Sequence, residues 1–133
     1  MPADQELAEF LEDAGICTVG TDFFVGELPA GVVNGGVITM YPGAIGDLVL
    51  NTIGGWTIER PRLQVKFRNT TETTAISKAN AAARALSAIA NQSIEGVRYR
   101  AVTVLQTPGI LERDASNRPV YGFNIEAERT ATS

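Results

Sequence analysis

The stretch Arg60-Pro61-Arg62-Leu63-Gln64-Val65-Lys66-Phe67-Arg68 decides the fold. Side chains alternate across a β-strand, so Leu63, Val65 and Phe67 fall on one face and Arg62, Gln64, Lys66 and Arg68 on the other. One face suits a core and the other carries three cations. Directly after it, a helix is expected from Thr73 or Thr74 to about Asn91. Its apolar stripe is Ile76, Ala79, Ala83, Leu86 and Ala90, with Ile89 beside it. Its many alanines favour helix and let it lie close to a sheet.

Working outward, residues 3–14 read as an amphipathic helix. Leu7, Phe10, Leu11 and Ala14 form one stripe, and Glu6, Glu9, Glu12 and Asp13 the wet side. Pro2 suits its start and Gly15 its stop. Short strands are expected at 22–26 and 37–41, with a turn around Gly31, Gly35 and Gly36 between them. Residues 43–60 form a glycine-rich variable segment that still carries Leu48, Val49, Leu50, Ile53 and Trp56. It reads as a hairpin, a core flap or an arm onto another subunit. A strand over 97–107 is apolar on both faces in its second half, which suits a central or interface position. A polar loop over 108–117 leads to the last strand. There Tyr121, Phe123, Ile125 and Ala127 take one face, and Gly122, Asn124, Glu126 and Glu128 the other.

This order predicts a single α+β domain over 1–133, a two-layer sandwich of four or five mixed strands with two helices on one face. A chain of 133 residues buries roughly two-thirds of its unfolded surface, enough for a core without staples. The apolar share is 44% and the charged share 20%, which argues against wholesale disorder. The single cysteine, Cys17, cannot form an intrachain disulfide. No apolar run is of membrane-spanning length, and the acidic N-terminus is unlike a signal peptide. A soluble protein made in the cytoplasm is expected.

The chemistry is sparse. There is no histidine, which removes the commonest general base and zinc ligand and leaves Cys17 without the usual nucleophile's partner. The glycines near 31–36 and 54–55 match neither a phosphate loop nor a dinucleotide fingerprint. Glu126 and Glu128, about 7 Å apart on one strand face, read as a strand surface rather than an acid/base pair or half a metal site. Arg62, Lys66, Arg68, Arg98 and Arg100 lack the interleaved aromatics of single-strand nucleic-acid binders. The net charge of −4 also repels nucleic acid. These cations therefore read as cross-strand or intersubunit partners. Trp56 reads equally as an anchor on its own core or on a neighbour. No catalytic, cofactor or metal residue is assigned.

The ordered set of motifs resembles a known family. These are the helix Leu7–Gly15, the stretch Val19-Gly20-Thr21-Asp22-Phe23-Phe24-Val25-Gly26-Glu27-Leu28-Pro29, then Val37–Tyr41, Arg60-Pro61-Arg62-Leu63-Gln64-Val65-Lys66-Phe67-Arg68, the alanine helix, and Arg118-Pro119-Val120-Tyr121-Gly122-Phe123-Asn124-Ile125-Glu126-Ala127-Glu128-Arg129. Together, over about residues 7–129, they look like the small minor capsid proteins of tailed phages, grouped with the tail terminators of long-tailed phages. The resemblance implies a two-layer subunit in a hexameric ring at the neck. The ring would cap the tail tube protein, end its polymerisation, and meet the head connector or stopper protein. DNA would pass through its channel without specific binding, past Glu126, Glu128 or the 108–117 loop. Trp56, Arg62, Lys66, Arg68, Arg98 and Arg100 are the expected interface residues. The mechanism would be steric, without enzyme, cofactor or membrane. The competing readings are a head-completion or stopper protein, and, in another class, a small α+β hydrolase or ligand-binding domain.

Overall fold

A computed structural model describes residues 2–41, 48–51 and 56–131, with side chains over 2–41 and 60–130. The chain runs α1 (Ala3–Asp13), β1 (Phe23–Val25), β2 (Gly35–Tyr41), β3 (Leu48–Asn51), β4 (Trp56–Glu59), β5 (Arg62–Arg68), α2 (Glu72–Ser87), β6 (Ala90–Ile94), β7 (Val97–Val104), β8 (Gly109–Arg113) and β9 (Pro119–Ala131).

The last strand is the spine. Along one side β9 pairs antiparallel with β5, from Arg62↔Glu126 to Arg68↔Val120, and then with β4, from Glu59↔Arg129 to Thr57↔Ala131. Pro61 interrupts that lane because it has no N–H to give, but its carbonyl still accepts from the Ala127 amide at 3.0 Å. Along the other side β9 pairs with β7 and then β8. Strands β5 and β7 thus run the same way on either side of β9, joined through α2 and β6. The sheet continues outward through β2 and the parallel β1 on one flank, through β3 beyond β4, and through β6 beyond β7.

The chain is therefore a mixed α+β fold with two helices, but its curled sheet is larger than the four or five strands expected. Among the described residues nine strand segments merge into six lanes, because β4 with β5, β2 with β3, and β7 with β8 each share one lane. Part of the excess comes from the expected loop over 108–117. Half of it is β8, and only the turn 114–118 is left between β8 and β9. Part comes from the segment 43–60, where β3 and β4 pair as an antiparallel hairpin from Leu48↔Glu59 to Asn51↔Trp56.

The face alternation of the opening stretch holds residue by residue. Leu63, Val65 and Phe67 are buried while Arg62, Gln64, Lys66 and Arg68 are half-buried. Tyr121, Phe123, Ile125 and Ala127 line the same core from β9. Both helices pack on this apolar face. α2 supplies Ala75, Ala79, Ala82, Ala83 and Leu86, and α1 supplies Ala3, Leu7, Ala8 and Leu11. Burying a side chain such as Phe123 stabilises the fold by about 1.5–3 kcal/mol. Gly36 sits between Phe23 and Phe67 in register, and the rings meet across it with centroids 5.6 Å apart. A Cβ at Gly36 would lie 2.7 Å from both rings.

Three local expectations change. The α2 stripe is rotated: Ala75 and Ala82 are buried, while Ile76 is exposed. The helix also ends at Ser87 rather than near Asn91. Glu95 and Gly96, both at positive φ, make a two-residue hairpin turn that draws Ala90–Ile94 into the sheet beside β7. In β7 the register with β9 shifts between Tyr99 and Ala101. That bulge at Arg100 changes the phase, so Tyr99 and Val102 are both buried. The apolar character of both faces there is the trace of this phase change.

Candidate assembly surface

The face of the sheet away from the helices carries the charged residues singled out from sequence. Glu128 on β9 stands between Arg60 and Arg100, with its Oε1 3.9 Å from Arg60 Nη2 and 3.6 Å from Arg100 Nη1. Lys66 Nζ lies 3.9 Å from Glu112 Oε1 on β8. Arg68 reaches in two directions, donating to the Val32 carbonyl and standing 3.7 Å from Asp114 Oδ2. Glu126 lies opposite Arg62 in register, yet the Arg62 Nε is buried without a hydrogen-bond partner. Arg98 is exposed, with no ion pair among the described residues. Trp56 opens β4; its side chain lies outside the described residues.

The structure thus joins Arg100 to Glu128, and ties Lys66 and Arg68 to the β8–β9 hairpin, all within one chain. Charges on neighbouring strands offset one another over much of this face. Beside them, Glu27 and Leu28 on one side and Glu112 and Asp114 on the other wall a groove of about 310 Å³, floored by Val37, Thr39, Lys66 and Arg68. Exposed pairs at such distances each contribute at most about 1 kcal/mol. Their arrangement instead shapes the potential of the surface.

Asp114 organises the hairpin tip. Its Oδ1 accepts from the Ser116 and Arg118 amides at 3.0 and 2.8 Å, and its Oδ2 accepts from Arg118 Nε at 2.6 Å. Partial desolvation pushes this carboxyl up, but the Arg118 and Ser116 bonds outweigh it and hold it below its usual value. Asn117 takes the left-handed conformation that completes the turn.

Sequence reasoning missed one polar cluster. Glu6, assigned to the wet side of α1, is fully buried. Its Oε1 accepts from the Tyr99 hydroxyl at 2.7 Å and from Arg129 Nη1 at 2.6 Å. The available signal was spacing: position 6 lies three residues after the buried Ala3 and next to Leu7, inside the stripe. Desolvation, and then the bond to Glu6, raise the Tyr99 hydroxyl above its ordinary range. At the other end of the helical layer, Tyr121 donates to Glu72 at the start of α2.

Among the described residues the polar groups set out above pair with one another rather than converging on one point. Cys17 borders a cavity of about 100 Å³ beside Asp22, Asn69 and Lys78, but desolvation, reinforced by Asp22, pushes its thiol up to about 12. Thiolates are the nucleophilic form, so this environment quiets the sulfur. Among the described residues no cluster of His, Cys, Asp and Glu is placed to hold a metal ion. No described helix is long and apolar enough to cross a membrane.

Residues 10–131 match the family model described as bacteriophage tail terminator protein. The chain belongs to that family. The tail terminator match covers α1 from Phe10 to the end of β9, so it takes in the whole sheet. No curated protein sequence matches the chain. Among solved structures, one chain of the "Virion of native gene transfer agent (GTA) particle" shares the fold. The TM-score is 0.54 and the identity 17%, with 97% of this chain and 87% of that one covered. This terminator-family chain is accordingly a structural protein of the virion tail.

Proposed function

We propose that the chain acts as a tail terminator in the steric sense. Copies close into a hexameric ring at the neck, cap the head-proximal end of the tail tube protein and end its polymerisation. They then present a surface to the head connector or stopper protein. The observation that carries this reading is the family match across residues 10–131. The surface described above suits it: a sheet face of compensated charge recognises protein partners by pattern rather than by gripping phosphate. The net charge of −4 suits a channel through which DNA slides without adhering. In this reading Glu126, Glu128 or the 114–118 turn faces the channel. Arg62, Lys66, Arg68, Arg98, Arg100 and Trp56 serve contacts between subunits or to the tube. No catalytic step is involved.

The deciding experiment is electron microscopy of particles assembled without this chain. Tails of uncontrolled, excessive length are expected. Tails of normal length on heads that lose their DNA would overturn the terminator role and support a stopper.

A further inference from the structure

A sheet must end somewhere, and each edge of this one is finished differently. β1 is three residues long, and its outer side is met by Val19, which bridges to Phe23, and by the Gly20 amide, which donates to the Phe23 carbonyl at 2.8 Å. β6 is broken by Asn91 at φ 47, which takes its backbone out of the extended form. These are the usual ways in which an edge is kept from pairing with another chain.

β8 is not finished in this way. Among the described residues it pairs with β9 alone. Because β5 and β8 both pair with residues 120–122 of β9, they lie on opposite sides of it. The outward edge of β8 is therefore open among the described residues. The register shift between Ile110 and Glu112 sets two adjacent apolar side chains into solvent: Ile110 is 48% exposed and Leu111 39%. Leu105, just before the strand, is 44% exposed. Half of the large exposed hydrophobics of the described chain thus fall within seven residues, on one edge. The Asp114 turn holds that edge in place before any partner arrives, which lowers the ordering cost of binding.

A second open edge is β3, which among the described residues pairs with β4 alone. β4 lies on the β5 side of β9, so β3 and β8 bound opposite flanks of the sheet. The β3 sequence Leu48-Val49-Leu50-Asn51 carries no charge. Two different open edges on opposite flanks of one subunit make a head-to-tail contact, the kind that closes into a ring when the rotation allows.

We propose that β8 is a docking edge for a second copy of this chain, and that the copy meets it with β3, so that the sheet continues from subunit to subunit. Backbone hydrogen bonds along the edge would supply affinity, and Leu105, Ile110 and Leu111 the apolar contact. This rests on the ring reading above and identifies the surfaces that make the ring.

The test uses the full chain in a Cys17→Ala background. One cysteine replaces Ile110 and a second replaces Leu48, Val49 or Leu50 in turn. Mild oxidation is expected to give a ladder of disulfide-linked multimers for at least one pairing. Native mass spectrometry follows self-association of the unmodified chain and of the Ile110→Lys/Leu111→Lys chain. About tenfold or greater weakening is expected for the latter, with unchanged circular dichroism because both side chains are exposed. Oligomers that form at full strength in the lysine variant, or that never cross-link through these edges, overturn the inference and leave the ring standing. A chain that stays monomeric at high micromolar concentration overturns both.

Discussion

Arg129 Nη1 donates to Glu6 Oε1 at 2.6 Å, joining residues 123 positions apart. One carboxylate thereby fastens the N-terminal helix to the end of the spine strand, with Tyr99 as the third member.

Removing one partner of a buried ion pair typically costs about 3–5 kcal/mol, because the other charge is left without compensation. Glu6→Ala is therefore expected to lower stability by about that amount. Glu6→Gln should cost less, since its amide oxygen still accepts from Tyr99. Urea unfolding followed by circular dichroism measures both, and an unchanged midpoint for Glu6→Ala would contradict the latch.

Gly122 is a packing requirement of the spine. A Cβ there would sit 2.4 Å from the Val65 carbonyl oxygen and 2.9 Å from Leu111 Cδ1. Backbone cannot move aside as a side chain does. Gly122→Ala is expected to cost about 1–3 kcal/mol through forced strand displacement. Gly31→Ala, with nothing within 4 Å, should leave the melting temperature nearly unchanged. Calorimetry of the two variants gives the contrast.

Cys17 links stability to alkaline pH. Its folded value of about 12 lies above the ordinary 9.0, so the fold favours the protonated thiol. The stability it contributes is complete below pH 9.0 and is lost as pH rises from there towards 12. Iodoacetamide labelling at pH 9 is expected to be much slower in the native chain than in urea. Equal rates would show that the thiol is not shielded.

The Asp114 turn should fail towards acid. Its carboxyl sits below the usual 3.8, so the contribution of its ionised form is present above that pH and fades as pH falls through the lower folded value. Asp114→Ala removes the Oδ1 that accepts from both the Ser116 and the Arg118 amide. Amide exchange at Ser116 and Arg118 is expected to accelerate, while exchange along β5 stays slow. If the acceleration spread evenly through the sheet, the turn would not be a local device.

Legibility of the fold followed the period of the side chains. Residues 62–68 and 121–127 alternate without interruption, so their faces could be read directly. In β7, the bulge at Arg100 changes the phase mid-strand, and two short alternations look like one strand apolar on both sides. β8 was hidden because Glu112, Arg113 and Asp114 look like loop, and pairing with β9 overrides that composition. Ile76 misled the α2 stripe because it is strongly apolar among alanines, yet the close approach of helix to sheet favours Ala75. Of the candidate surface, the cations and Glu128 were legible on one sheet face, but the partners Glu112 and Asp114 were not, since both were placed in a loop. Glu6 was hidden because a single-sequence reading assigns carboxylates to water, while Arg129 lies 123 positions away.

The position of β9 has a consequence for synthesis. β4, β5, β7 and β8 all take their register from residues 119–131, which follow every other described strand in the chain. A ribosome has therefore made almost the whole described sheet before the strand that orders it emerges. Until then the apolar face of residues 62–68 has no β9 to pair beside it, and the chain must wait for its longest-range contacts. A copy cut short before residue 119 would lack the strand that both open-ended flanks are built on, so an unfinished chain is unfit to join an assembly.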